Sequence, residues 1–156
     1  MNIPPIPDVQ NNVENANKFF LVTRLIHFAL IMGVVMFGVV AFSVSAKQMS
    51  YVPDFHNPII LIVILVCLGN IGASFFVAPI YRKVVPAPTT PSSAMKQYQA
   101  MSMVRWAIVE GGALFCGVAM IVTRNILPVI IMILTAAFLA YCYPSQKEFV
   151  RFTESP

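Results

Sequence analysis

Four stretches of the chain run for about the length of a bilayer crossing with almost no charge, and prolines or basic residues bound them. A hydrocarbon core asks for about 20 consecutive, mostly apolar residues in helical form. The first stretch runs from Phe19 to Ala46, with Arg24 and His27 in its opening turns. The second runs from Ile59 to Tyr81, introduced by Pro58 and stopped by Arg82 and Lys83. The third lies between Arg105 and Val122; after a very short turn at Arg124 and Asn125, the fourth runs from Ile126 to Tyr143, closed by Pro144. This pattern predicts an all-α membrane protein with four transmembrane helices arranged as two tandem hairpins. The third and fourth spans are short, so they are expected to stand nearly upright or to end in a thinned interface.

The intervening segments divide the chain further. Residues 1–18 read as an irregular N-terminal arm, with Pro4, Pro5, Pro7 and a run of Asn. Residues 19–83 form the first transmembrane hairpin, and 84–98 a flexible linker carrying Pro86, Pro88 and Pro91. Residues 99–144 form the second hairpin, and 145–156 a C-terminal tail. The loop from Lys47 to Asn57 holds Tyr51, Phe55 and His56, aromatic groups suited to a membrane interface. No sizeable domain is expected outside the bilayer, which argues against a receptor or a tethered enzyme.

Composition agrees with lipid as the solvent. Hydrophobic residues make up 58% of the chain, charged residues only 10%, and the mean hydropathy is +0.79. A soluble domain carries about 25% charged residues. The net charge of +4 does not point to nucleic acid, because the basic residues are scattered among apolar segments. Their distribution instead reports topology. Lys18, Arg24, Arg82, Lys83, Lys96, Arg105, Lys147 and Arg151 fall on one side of the predicted membrane, and only Lys47 and Arg124 on the other. Cytoplasmic loops carry the excess of positive charge, so both termini are expected in the cytoplasm. Val44-Ser45-Ala46 resembles a signal-peptidase site, but the apolar run before it exceeds the roughly 7–15 residues of a secretory signal. The first span therefore reads as a retained anchor. Cys67, Cys116 and Cys142 lie within apolar stretches without metal-ligand spacing and read as small core residues.

Aligning the first span with the third at an offset of 78 residues matches ALIMGVVMFGVVA (29–41) to AIVEGGALFCGVA (107–119), with Ala29/Ala107, Gly33/Gly111, Phe37/Phe115, Val40/Val118 and Ala41/Ala119 identical. The match suggests duplication, and two hairpins of the same orientation would then form a parallel repeat. Small residues recur at four-residue spacing: Ala29 with Gly33, Ala107 with Gly111, and Ala113 with Gly117. Such pairs let helix backbones approach closely. The spacing leaves open whether the partner helix belongs to the same chain.

Glu110 is the only acidic residue inside a span, where the repeat has Met32. A carboxylate there costs about 2.5–3.5 kcal/mol on insertion scales, so it is expected to face protein and serve a purpose. Glu110, Ala113 and Gly117 fall at i, i+3 and i+7 on one helical face, which points the carboxylate into the bundle. Five residues separate it from Arg105, about 7–8 Å along a helix, so it sits nearer the cytoplasmic surface than the midplane. At similar depth the candidates for a shared polar or proton site are Ser74 and Tyr141, with His27, Arg24 and Arg105 slightly shallower. A bond from Glu110 to His27 or Tyr141 is favoured over one to Arg105.

The motifs FALIMGVVMF (28–37) and RWAIVEGGALF (105–115), with Pro144 closing the last span before Lys147, resemble an uncharacterised group of small bacterial four-helix integral membrane proteins. The resemblance extends from Thr23 to Lys147. It implies a location in the bacterial cytoplasmic membrane and brings no activity, ligand or cofactor. The third span is also superficially similar to the ion-binding helix of rotary ATPase proteolipids. It departs from that pattern because Glu110 comes early in a third span, and the first span is rich in Val, Met and Phe rather than Gly.

Two functions follow as expectations. One is a non-catalytic subunit or scaffold that lies in the lipid bilayer and packs against itself or other membrane subunits. The alternative is a small proton- or ion-coupled transport component using Glu110. An enzyme is not expected: His27 and His56 lie on opposite sides and cannot share a metal, and no second carboxylate approaches Glu110 for acid–base work. No metal, cofactor or nucleic acid is expected.

Overall fold

The computed structural model describes the backbone of residues 7–154 and the side chains of residues 16–153. Five α-helices account for nearly all of this: α1 (Pro7–Ser45), α2 (Pro58–Val84), α3 (Pro91–Thr123), α4 (Ile126–Tyr141) and α5 (Gln146–Glu154). A single 3₁₀ turn, Ala46–Gln48, follows α1. Three helices are long and apolar enough to cross a membrane, or four if the bent pair α4–α5 counts as one span. The helices are those of a membrane protein.

Two segments expected to be irregular are helical. Helix α1 already begins at Pro7, so residues 7–17 extend the first span; residues 1–6 of the expected arm lie outside the described residues. Helix α3 begins at Pro91, inside the expected linker. Proline is favoured at a first helical position, and Thr90 and Ser93 exchange hydrogen bonds in a capping box that satisfies the first free N–H groups. The extended segment is thereby reduced to residues 85–90.

The burial pattern explains the packing. In α2 the buried residues are Ile60, Val63, Cys67, Ser74 and Val77; in α1 they include Phe20, Thr23, His27, Val34 and Ala41. Both series follow a seven-residue repeat, the narrow seam of a helix that packs along one line. Helix α3 instead buries a broad face that includes Tyr98, Met101, Trp106, Val109, Ala113, Cys116 and Met120. It packs against α1, α2 and α4, whereas α1 and α2 scarcely touch. The expected first hairpin is therefore not a packing unit, because the broad face of α3 takes up both narrow seams.

Gly117 sets the α1–α3 approach. A methyl group there would fall against the Phe37 ring, with Cδ1 only 2.7 Å away. Overpacking of this kind costs about 1–3 kcal/mol. Gly117→Ala is expected to lower the thermal midpoint in detergent, and adding Phe37→Leu should restore most of the loss. Failure of that rescue would show that the two residues do not share this contact.

The two ends of the bundle are closed differently. At the loop end, Ser50 N–H donates to the Arg124 carbonyl at 2.7 Å, Ile126 N–H donates to the Ser50 carbonyl at 3.1 Å, and Asn125 Nδ2 donates to the Val52 carbonyl at 3.0 Å. These bonds fasten the α1–α2 loop onto the α3–α4 turn, where Arg124 adopts a left-handed conformation (φ 50°) and ends α3. At the opposite end, the base, α5 turns by 69° from α4. Its Phe149 and Phe152 pack with Phe20, Val77, Tyr98 and Met101. The expected tail is therefore a docked helix as far as the described residues extend.

Candidate functional site

Glu110 lies at the edge of the buried face of α3, beside Gly33 of α1. Its Oε1 is 3.9 Å from where a Gly33 side chain would begin. The carboxylate is half-buried and, among the described residues, makes no hydrogen bond or ion pair. The carboxylate, expected to point into the bundle, sits at the α1–α3 contact rather than among the fully buried residues. Ala113 and Gly117 are buried, but Glu110 is turned toward the groove where α1 and α3 meet.

The small residues divide along the same line. Ala113 and Gly117 pack inside the chain, Gly117 against Phe37. Ala29 and Gly33 on α1 and Ala107 and Gly111 on α3 are exposed, and nothing lies within 4 Å of a Cβ built at Gly111. The two exposed pairs lie close to Glu110 in sequence or space on parallel helices, with Gly33 directly against its carboxylate. Of the expected packing residues, Ala113 and Gly117 are the two that are buried among the described residues.

The other proposed partners go elsewhere. Tyr141 is 84% exposed and turned away from the bundle. Ser74 is buried, with its hydroxyl donating to the Ile71 carbonyl of its own helix at 2.6 Å. Arg105 forms an ion pair with Glu148 of α5, Nη1 to Oε1 at 2.6 Å. His27 is 1% exposed, and neither ring nitrogen has a hydrogen-bond partner among the described residues. The ring instead packs on Trp106 at 4.5 Å and Tyr143 at 5.9 Å between centroids. No bond from Glu110 to His27 or Tyr141 forms, so Glu110 stands apart from the polar cluster it was expected to join.

That cluster occupies the base. Trp106 Nε1 donates to the Cys142 carbonyl at 3.0 Å, and the Tyr98 hydroxyl donates to Glu148 Oε2 at 3.2 Å. The Arg24 guanidinium lies 5.4 Å from the centre of the Tyr143 ring. Sequence reasoning missed Trp106, Tyr98, Tyr143 and Glu148. A second concavity, ≈ 280 Å³, lies between α1 and α4, lined by Val34, Gly38, Phe42, Met120 and Met132 among others. Its one hydroxyl, that of Ser43, donates to the Val39 carbonyl at 2.7 Å, so the lining offers no free chemistry. Among the described residues, no group of three or more His, Cys, Asp or Glu could hold a metal ion. No protein-family model, characterised protein or solved structure is significantly similar to the chain.

Proposed function

We propose that this chain is a non-catalytic membrane subunit whose α1–α3 groove receives a transmembrane helix of another subunit or of a second copy. The observation that carries the reading is the solitary carboxylate of Glu110 beside Gly33, close to two pairs of exposed small residues. Small residues let a third backbone approach closely, and a donor on the incoming helix would satisfy a carboxylate that finds no partner among the described residues. The proposed setting is the bacterial cytoplasmic membrane, with four spans and both termini inside. Support for that orientation comes from the bias of eight basic residues to two.

The test is assembly in native membranes extracted with a mild detergent. An interhelical hydrogen bond in lipid contributes about 1–2 kcal/mol in model peptides, so Glu110→Ala should weaken association roughly tenfold. Gly33→Leu should do the same by filling the groove. A wild-type chain that remains a lone monomer at high density in nanodiscs and captures no membrane partner would overturn the reading.

The lack of a partner for Glu110 among the described residues also favours a second reading, in which it binds a proton or cation during transport. Glu110→Gln separates the two. It preserves size and hydrogen bonding, so a docking role survives it, whereas proton- or ion-coupled flux does not.

A further inference from the structure

Cys67 of α2 and Cys116 of α3 face one another in the middle of the bundle, 2% and 0% exposed, with their sulfurs 3.1 Å apart. Cys67 Sγ also approaches the Gly112 carbonyl at 3.5 Å. A side chain at Gly112 would begin 3.0 Å from Asn70 Nδ2, so the missing side chain is what lets α2 and α3 close to this distance. The third cysteine, Cys142, is buried at the base and has no thiol neighbour among the described residues. Two sulfurs alone do not make a metal site, and among the described residues no further His, Cys, Asp or Glu joins them to complete a ligand set. The pair is well placed for a disulfide, whose sulfurs are about 2.05 Å apart, because only about 1 Å of movement is required.

We propose that Cys67 and Cys116 are a peroxide-responsive dithiol whose oxidation ties α2 to α3. In the first step one cysteine sulfur attacks hydrogen peroxide; an S–O bond forms and the O–O bond breaks. The departing hydroxide takes the thiol proton and leaves as water. The sulfur is oxidised to a sulfenic acid and the peroxide is reduced. In the second step the other sulfur attacks the sulfenic sulfur; the S–S bond forms and the S–O bond breaks. The hydroxide leaves with the second thiol proton, again as water. In sum, two thiols and one peroxide become one disulfide and two waters. Burial limits access to the pair and slows the first step. The site therefore selects a small, uncharged oxidant over charged ones such as oxidised glutathione. Because α2 packs chiefly on α3, the cross-link would hold its main contact in place.

The test uses the wild-type chain in phosphatidylcholine nanodiscs exposed to hydrogen peroxide, then unfolded and alkylated with N-ethylmaleimide for mass spectrometry. The expected result is alkylation of one thiol of the three, an intact mass lower by about 2 Da before alkylation, and a linked peptide pair containing Cys67 and Cys116. Reduction after unfolding should restore all three thiols. The idea is overturned if all three remain alkylatable after exposure that oxidises an exposed control thiol. It is equally overturned if the product is a sulfinic acid or a link between chains. Cys116→Ala should abolish the linked peptide, and a bond from Cys67 to Cys142 in that variant would also refute the assignment.

Discussion

Replacing Trp106 with alanine should destabilise the protein by about 3–5 kcal/mol, the usual cost of deleting a fully buried large aromatic side chain. Trp106 is 1% exposed, and two separate jobs meet in its ring. One face covers His27 of α1, while Nε1 donates to the Cys142 carbonyl just past the end of α4. Carbonyls at a helix terminus have no partner within the helix, so this bond satisfies a group that the turn toward α5 leaves bare. The substitution opens a cavity between α1 and α3 and orphans that carbonyl together. A fall of roughly 10–15 °C in the circular-dichroism melt in detergent is expected. Trp106→Phe keeps most of the packing and loses the hydrogen bond, so it should cost only about 1 kcal/mol. If the alanine variant melts within about 3 °C of wild type, Trp106 is not holding the base together. As the only tryptophan in the chain, it also serves as a fluorescence reporter of the base in every other variant.

Three of the four expected spans were legible because length and composition suffice to recognise them; the fourth, α4, is long enough only if it is taken together with α5. The faces of the helices were not legible. Helix α4 is apolar almost throughout, so nothing in its sequence distinguishes Tyr141, which is exposed, from Leu139, which is buried. The order of packing was hidden for a related reason. A short loop makes neighbours in sequence look like neighbours in space, yet the broad buried face of α3 separates α1 from α2. Glu110 was recognisable as a residue out of place, because a lone carboxylate in an apolar run is conspicuous in any register. Its lack of a partner among the described residues depends on side-chain direction, which spacing alone did not settle. The Cys67–Cys116 contact joins two spans at a sequence separation of 49, and no local pattern marks it. The α5 helix did leave a trace: Ser145 three residues before Glu148 is a capping pattern, with Phe149 and Phe152 on one face. The stretch was read simply as a C-terminal tail, because it follows Pro144 at the end of the last apolar run.

Glu148→Lys should release α5 from the base while leaving the rest of the bundle folded. The wild-type carboxylate accepts from Arg105 at 2.6 Å and from the Tyr98 hydroxyl at 3.2 Å, and its backbone N–H donates to Ser145 Oγ at 3.2 Å. The ion pair is partly exposed, 22% at Arg105 and 34% at Glu148, so by itself it contributes no more than about 1 kcal/mol. The larger loss comes from Tyr98, which is 0% exposed and would keep a buried hydroxyl with its acceptor removed, at about 1–3 kcal/mol. The new ammonium would also face the Arg105 guanidinium. Together these effects amount to about 2–3 kcal/mol, which corresponds to roughly 30- to 150-fold faster hydrogen exchange along α5. The damage should stay local, because among the described residues α5 makes its contacts at the base, through Glu148, Phe149, Arg151 and Phe152. Peptides from α3 and α4 away from the base should therefore exchange as in wild type. Swapping the charges, Arg105→Glu with Glu148→Arg, should recover part of the protection. Recovery should remain incomplete, since arginine cannot accept the Tyr98 proton. Unchanged exchange in Glu148→Lys would mean that the aromatic contacts alone hold α5. In that case Phe152→Ala, rather than any charge substitution, should free the helix.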